Sequence, residues 1–185
     1  SIYRFLNLTS LKFTMPHSPL NVLFLCTHNS ARSILAEAIL NHLGTVNGVT
    51  LFKGFSAGSS PRENQQPHPL GLRVLEHAGI STQGLHSKSW DEFARPGAPH
   101  MDLIITVCDN AAGEVCPVWP GHPATAHWGY ADPSEGSGDE AHQREAFRQT
   151  LLGLHRRLSL LVSLPPEKLE HALLQSTARE LPRQA

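Results

Sequence analysis

With 185 residues, 40% apolar and 17% charged, the chain is long enough for one domain around a proper core. A net charge of −1 gives no surface for nucleic acid, and the longest apolar runs fall far short of a bilayer span, so neither nucleic-acid nor membrane partners are expected. Three cysteines are an odd count that argues against an extracellular disulfide scaffold. Residues 1–20 lack the layout of a secretory signal, so a cytoplasmic protein with catalytic or metal-binding cysteines is expected. Three cysteines without a fourth ligand make a poor zinc site, and no metal is assigned.

Residues 1–20 scatter Ile2, Phe5, Leu8, Leu11 and Phe13 among polar residues and read as a loosely ordered extension, with Met15 a candidate natural start. The core pattern begins with the run Asn21 to Leu25, apolar from Val22 on as in a strand covered on both faces. Ile34, Leu35, Ala38, Ile39 and Leu43 fall on one face of a helix from Ser33 to Leu43, which Gly44 stops. A second strand fits Thr50 to Phe55. A second helix starts near Pro69, with Leu70, Val74, Leu75 and Ala78 as its buried stripe and Gly79 as its end. Ser89-Trp90-Asp91-Glu92 reads as a capping box for a short helix that Pro96 terminates. Met101 to Val107 is a third apolar strand, and a fourth fits Thr125 to Trp128. The last helix runs roughly from Asp139 to Val162, with Phe147, Leu151, Leu154, Leu158 and Leu161 on one stripe, and Pro165-Pro166 breaks it. For Glu167 to Leu181 the alternatives are an amphipathic appendage or a frayed end. The expected fold is a single α/β domain over residues 21–164, a doubly wound parallel four-stranded sheet with helices on both faces, followed by a tail over 165–185.

The stretch Cys26-Thr27-His28-Asn29-Ser30-Ala31-Arg32-Ser33 lies between the first strand and the first helix. Backbone N–H groups at a helix start are unpaired and point into such a loop, which makes it an anion cradle. Cys26 adds a nucleophile and Arg32 a bidentate clamp for an oxyanion. A field that holds an anion also favours thiolate, so a lowered Cys26 pKa is expected. Cys26 and Cys108 both fall at carboxyl ends of predicted parallel strands, where such sheets bind ligands, so their meeting in space is expected.

Cys-x5-Arg-Ser early in the chain and Asp132-Pro133 late in it resemble the low-molecular-weight tyrosine phosphatase fold. Two segments place the resemblance more narrowly. Cys108-Asp109-Asn110-Ala111-Ala112-Gly113-Glu114-Val115-Cys116-Pro117 looks like the redox loop of arsenate reductases built on this fold, and His127-Trp128-Gly129-Tyr130-Ala131-Asp132-Pro133 looks like their general-acid loop. The chain thus resembles the thioredoxin-coupled arsenate reductases of the low-molecular-weight phosphatase-like family. The resemblance implies that the loop Thr27, His28, Asn29, Ser30, Ala31 and Arg32 binds arsenate, or phosphate or sulfate in its place. Cys26 would be the nucleophile, with Ser33 donating to its thiolate, Asp132 the proton donor, and Cys108 then Cys116 the relay. The implied reductant is thioredoxin, with glutathione and glutaredoxin the alternative, no tightly bound cofactor, and a monomer.

Two departures matter. Ser134-Glu135-Gly136 follow Asp-Pro where phosphatases often carry aromatics, which removes a wall for a phosphotyrosine ring. Ala31 stands where both families commonly place a second loop cysteine. Asn29, Glu37 and Ser56 match positions that bind potassium in some of these reductases. The fourth position is Ser89 instead of an aspartate, and the neighbouring Lys88 is expected to supply the cation and pair with Glu37, the alternative being a solvated surface charge. The competing functions are a phosphatase using Cys26, Arg32 and Asp132, and a non-catalytic oxyanion-binding module.

Overall fold

The computed structural model describes residues 18–108, 119–121, 123–165 and 168–169. Cys116 with most of its loop, the extension over residues 1–17, and nearly all of the tail past 165 therefore lie outside the described residues.

The centre is β1, Leu20–Cys26. Its buried residues alternate between two clusters. Val22, Phe24 and Cys26 face one, and Leu23 and Leu25 face the other, which is why the run reads as continuously apolar. The helix α1, Arg32–Leu43, follows directly. Then come the two-residue strands β2, Thr45–Val46, and β3, Val49–Thr50, and the long β4, Phe52–Gly58. This corrects the single strand expected over Thr50 to Phe55. Asn47 and Gly48, both at positive φ, turn a small hairpin before β4 begins. Gly44 does stop α1, but by packing: a Cβ there would run into the Phe52 carbonyl.

The next helix, α2, is Pro69–His77. Its C-terminal turn is a Schellman motif: Gly79 at φ +72° lets the Ile80 N–H return to the Leu75 carbonyl at 2.9 Å. The expected burial of Ala78 is overturned, since it is exposed and Ile80 closes the stripe. A single turn, α3, spans Asp91–Ala94. The expected capping box is absent. Ser89 Oγ accepts from Asp91 N at 3.2 Å, two residues on, because the Ser89 backbone is bridged to Gly58 of the sheet.

The sheet is completed by β5, Leu103–Thr106, and β6, Ala124–His127. Its order is β4-β1-β5-β6 with all pairs parallel. The last helix, α4, is Glu140–Ser163, capped by Asp139, whose Oδ1 accepts from His142 N at 3.0 Å. Phe147, Leu151, Leu154 and Leu158 are buried against α1, α2 and one sheet face. Each contributes roughly 1.5–3 kcal/mol of apolar burial. The other face is covered more thinly, by Trp90, by Phe93 of α3, and by Trp119, whose ring packs edge-on to Trp90 at 6.2 Å. The expected α/β parallel sheet is the observed one, with the helices unequally shared between its faces.

Candidate active site

Cys26 ends β1, and the register sets it opposite Gly58 at the end of β4. A side chain at Gly58 would lie 2.6 Å from the Thr27 carbonyl and 3.0 Å from Asn29 N, so glycine there lets the loop sit on the sheet. The loop turns at Asn29, held at φ +54°. Its fully buried side chain justifies that conformation. Nδ2 donates to Ser33 Oγ at 2.8 Å and to Ser56 Oγ at 3.0 Å, and Oδ1 accepts from Lys88 N at 2.9 Å. Helix α1 then begins after Ala31 with no side-chain cap, which leaves its first N–H groups for an anion.

Ser33 Oγ lies 2.8 Å from Cys26 Sγ. Because that oxygen accepts from Asn29, its own proton turns to the sulfur. Asn29 N also donates to Cys26 Sγ, at 3.2 Å. These bonds favour thiolate, yet the net direction is the opposite of the one expected from sequence. Burial pushes the Cys26 thiol pKa up, outweighing the hydrogen bonds from Ser33 and Asn29, and the Cys108 sulfur adds a smaller push the same way. A charge in this enclosed site loses more hydration than the loop returns.

Cys108 follows β5, which pairs directly with β1. It is buried, and its Sγ is 3.7 Å from Thr27 Oγ1, so the second cysteine borders the first one's loop. Trp119 is anchored in the thin-face cluster. Cys116, between Cys108 and Trp119 in sequence, is outside the described residues.

Arg32 is turned toward the segment after β6. Nη1 donates to the Tyr130 carbonyl at 2.9 Å, and Nη2 meets Asp132 Oδ2 at 3.2 Å. The other carboxylate oxygen of Asp132 accepts from Ser134 N at 2.9 Å and Ser134 Oγ at 2.6 Å. Arg32 and Asp132 thus meet at the loop mouth, beside a cleft of about 630 Å³ that His28, Ser30 and Asp132 border with the 62–69 segment. His28 leans away, with Nδ1 3.0 Å from the Ser60 carbonyl. An oxyanion in the loop would compete with Asp132 for Arg32.

Lys88 is not a surface charge; it is 9% exposed. Its Nζ donates to the Ser56 carbonyl at 3.0 Å and to the His86 carbonyl at 2.8 Å. The Ser56 hydroxyl donates to Glu37 Oε2 at 3.0 Å. Ser56 therefore sits between ammonium and carboxylate, which corrects the direct pairing expected. Burial raises the Glu37 pKa and lowers that of Lys88, and in each the other's charge partly opposes the shift. The Tyr130 carbonyl, the Ser134 contacts to Asp132 and the Thr27 link to Cys108 were not foreseen. The first depends on backbone direction, which no motif carries. An Asp-Pro-Ser turn signal was available for the second.

A buried thiol at the end of a parallel strand, an uncapped helix start and an Arg–Asp pair at the loop mouth define an oxyanion site of the cysteine phosphatase type. The chain belongs to the low molecular weight phosphotyrosine protein phosphatase family, whose model matches residues 21–173. It is 34% identical over 130 residues to an arsenate reductase of Bacillus licheniformis, covering 69% of this chain and 84% of that protein. With an arsenate reductase of Bacillus subtilis it shares 31% over 138 residues, covering 74% of this chain and 91% of that protein. The crystal structure of an arsenate reductase from Archaeoglobus fulgidus superposes with a TM-score of 0.58 at 27% identity, over 77% of this chain and 99% of that one.

Proposed function

We propose that the chain is an arsenate reductase that works by a thiol relay. The observation that carries this reading is the position of Cys108, buried beside the Cys26 loop, which a simple phosphatase does not need. The loop amides and Arg32 hold the tetrahedral dianion. Cys26 passes its thiol proton to an oxygen of the bound dianion and attacks arsenic; an As–O bond breaks, and that oxygen leaves as water with a second proton from Asp132. Cys108 then attacks the Cys26 sulfur. The S–As electron pair stays on arsenic, which leaves as arsenite, and the two sulfurs are oxidised to a disulfide. Attack of Cys116 on the Cys108 sulfur frees Cys26 and moves the disulfide to Cys108–Cys116. A dithiol protein of the thioredoxin type then reduces it; glutathione with glutaredoxin is the alternative donor.

Phosphatase chemistry shares Cys26, Arg32 and Asp132 but ends in hydrolysis of the cysteine adduct, and family membership keeps that reading in play. Cys108→Ser and Cys116→Ser separate the two. The relay predicts that each loses multiple-turnover arsenite formation and keeps weak hydrolysis of an aryl phosphate through Cys26. Unchanged arsenite turnover in either variant would contradict the relay. A wild-type chain that forms no arsenite and hydrolyses no aryl phosphate, and whose oxyanion binding survives Cys26→Ser, would be a binding module.

A further inference from the structure

The cleft beside the loop holds a histidine that the relay does not use. The His68 main chain is tied to the loop, its N–H donating to the Ser30 carbonyl at 2.8 Å. Its ring caps α2: Nδ1 accepts the Leu70 N–H at 3.1 Å. A nitrogen that accepts there carries no proton, so the neutral ring holds its proton on Nε2. The ring lies on Phe147, with centroids 4.6 Å apart and planes at 33°. Phe147 is itself fully buried, so the imidazole has a fixed seat. Among the described residues Nε2 has no hydrogen-bond partner. Burial keeps the ring below its ordinary pKa, against a smaller opposing pull from Asp132. His68, Ser30 and Asp132 border the same cleft.

We propose that His68 is a substrate-binding residue whose Nε2–H donates to an oxygen of the tetrahedral oxyanion seated on the loop. The proposal rests on the reading of that loop as an oxyanion site, not on the fate of the arsenic. Its chemistry suits the position. When the anion draws Arg32 from Asp132, a neutral donor adds a hydrogen bond without adding a cation. A cation there would hold Asp132 as carboxylate and oppose its service as a proton donor.

Two substitutions separate this role from capping. In His68→Asn the amide oxygen takes the place of Nδ1 and keeps the cap, while the outer donor is lost. In His68→Gln an amide nitrogen returns near the Nε2 position and the cap is lost. Calorimetric titration of the full chain with inorganic phosphate reads binding without turnover, alongside KM and kcat for arsenate and the thermal midpoint. The proposal predicts that His68→Asn keeps the midpoint, weakens phosphate binding and raises KM about tenfold, and changes kcat little. His68→Gln should lower the midpoint and recover part of the phosphate affinity. Wild-type phosphate affinity in His68→Asn overturns the proposal. So does a loss of affinity that follows the midpoint in both variants. A wild-type chain that forms no arsenite, yet binds phosphate in a His68-dependent way, supports this proposal and removes the reductase reading.

Discussion

The Ser33 hydroxyl is the side-chain donor to Cys26 and the acceptor of Asn29 Nδ2, so its removal acts on both. Burial already holds the Cys26 thiol above its ordinary pKa, and the Ser33 bonds oppose that. Ser33→Ala therefore moves the pKa further up. In wild type, alkylation of Cys26 should be slow near neutral pH and rise through the alkaline range. In Ser33→Ala the rise should begin at higher pH, and the one Asn29 N–H left without its Ser33 acceptor should cost roughly 1–3 kcal/mol of stability. An alkylation profile that shifts to lower pH, or not at all, would count against the assigned proton direction. Ser33 was legible because it follows the arginine of the motif. The direction of the Cys26 shift was not, since burial depends on how Thr27, Ser33 and the sheet close around the sulfur.

Two contacts between elements set the site's surroundings. The first joins Glu37 of α1 to Lys88 before α3 through Ser56 of β4. The raised Glu37 pKa means its contribution is fully present below the ordinary carboxylate range and lost as pH rises through the folded value. Lys88→Met removes the opposing charge and pushes the Glu37 pKa further up. Its stability deficit should therefore grow as pH rises above the ordinary carboxylate range, reaching roughly 2–4 kcal/mol, and Glu37→Gln should restore most of it. With a resident ammonium in place, exchanging potassium for sodium at equal ionic strength should change neither activity nor thermal midpoint. A deficit independent of pH, or a marked potassium effect, would refute this. The second contact carries the 128–132 segment. Arg157 of α4 lies over Trp128 and Tyr130, its guanidinium carbon 5.5 and 5.6 Å from the ring centroids. A Cβ at Gly153 would stand 3.2 Å from Tyr130 Cε1. Gly153→Ala adds about 1 kcal/mol of helix propensity but displaces the ring whose carbonyl holds Arg32. The expected result is an unchanged or higher thermal midpoint with a several-fold lower kcat, read by calorimetry and turnover. An unchanged kcat would mean that Tyr130 does not transmit to the site.

Across the whole molecule, parallel pairing of β1 with β5 and of β5 with β6 brings Cys26, Cys108 and Asp132 to one end of the sheet, although 106 positions separate the first from the last in sequence (132 − 26). The meeting of Cys26 and Cys108 was readable in advance, because continuous apolar runs mark strands covered on both faces and strand ends mark sites, whereas Asp132 was placed by the motif resemblance. Lys88 was harder to read. It lies in a run of Gly, Leu, His and Ser with no periodicity, and only the packing of three elements buries it. The β2–β3 hairpin was also missed, though Asn47-Gly48 announced it, because two-residue strands bury nothing and leave no apolar signature. The relay itself is tested most directly by trapping its intermediate. Cys116→Ser protein, fully reduced, is given excess arsenate without external reductant, and the products are read by arsenic speciation and peptide mass mapping. The account predicts one arsenite per chain and a Cys26–Cys108 disulfide. Reduced cysteines with no arsenite, or arsenite without that linkage, would contradict it.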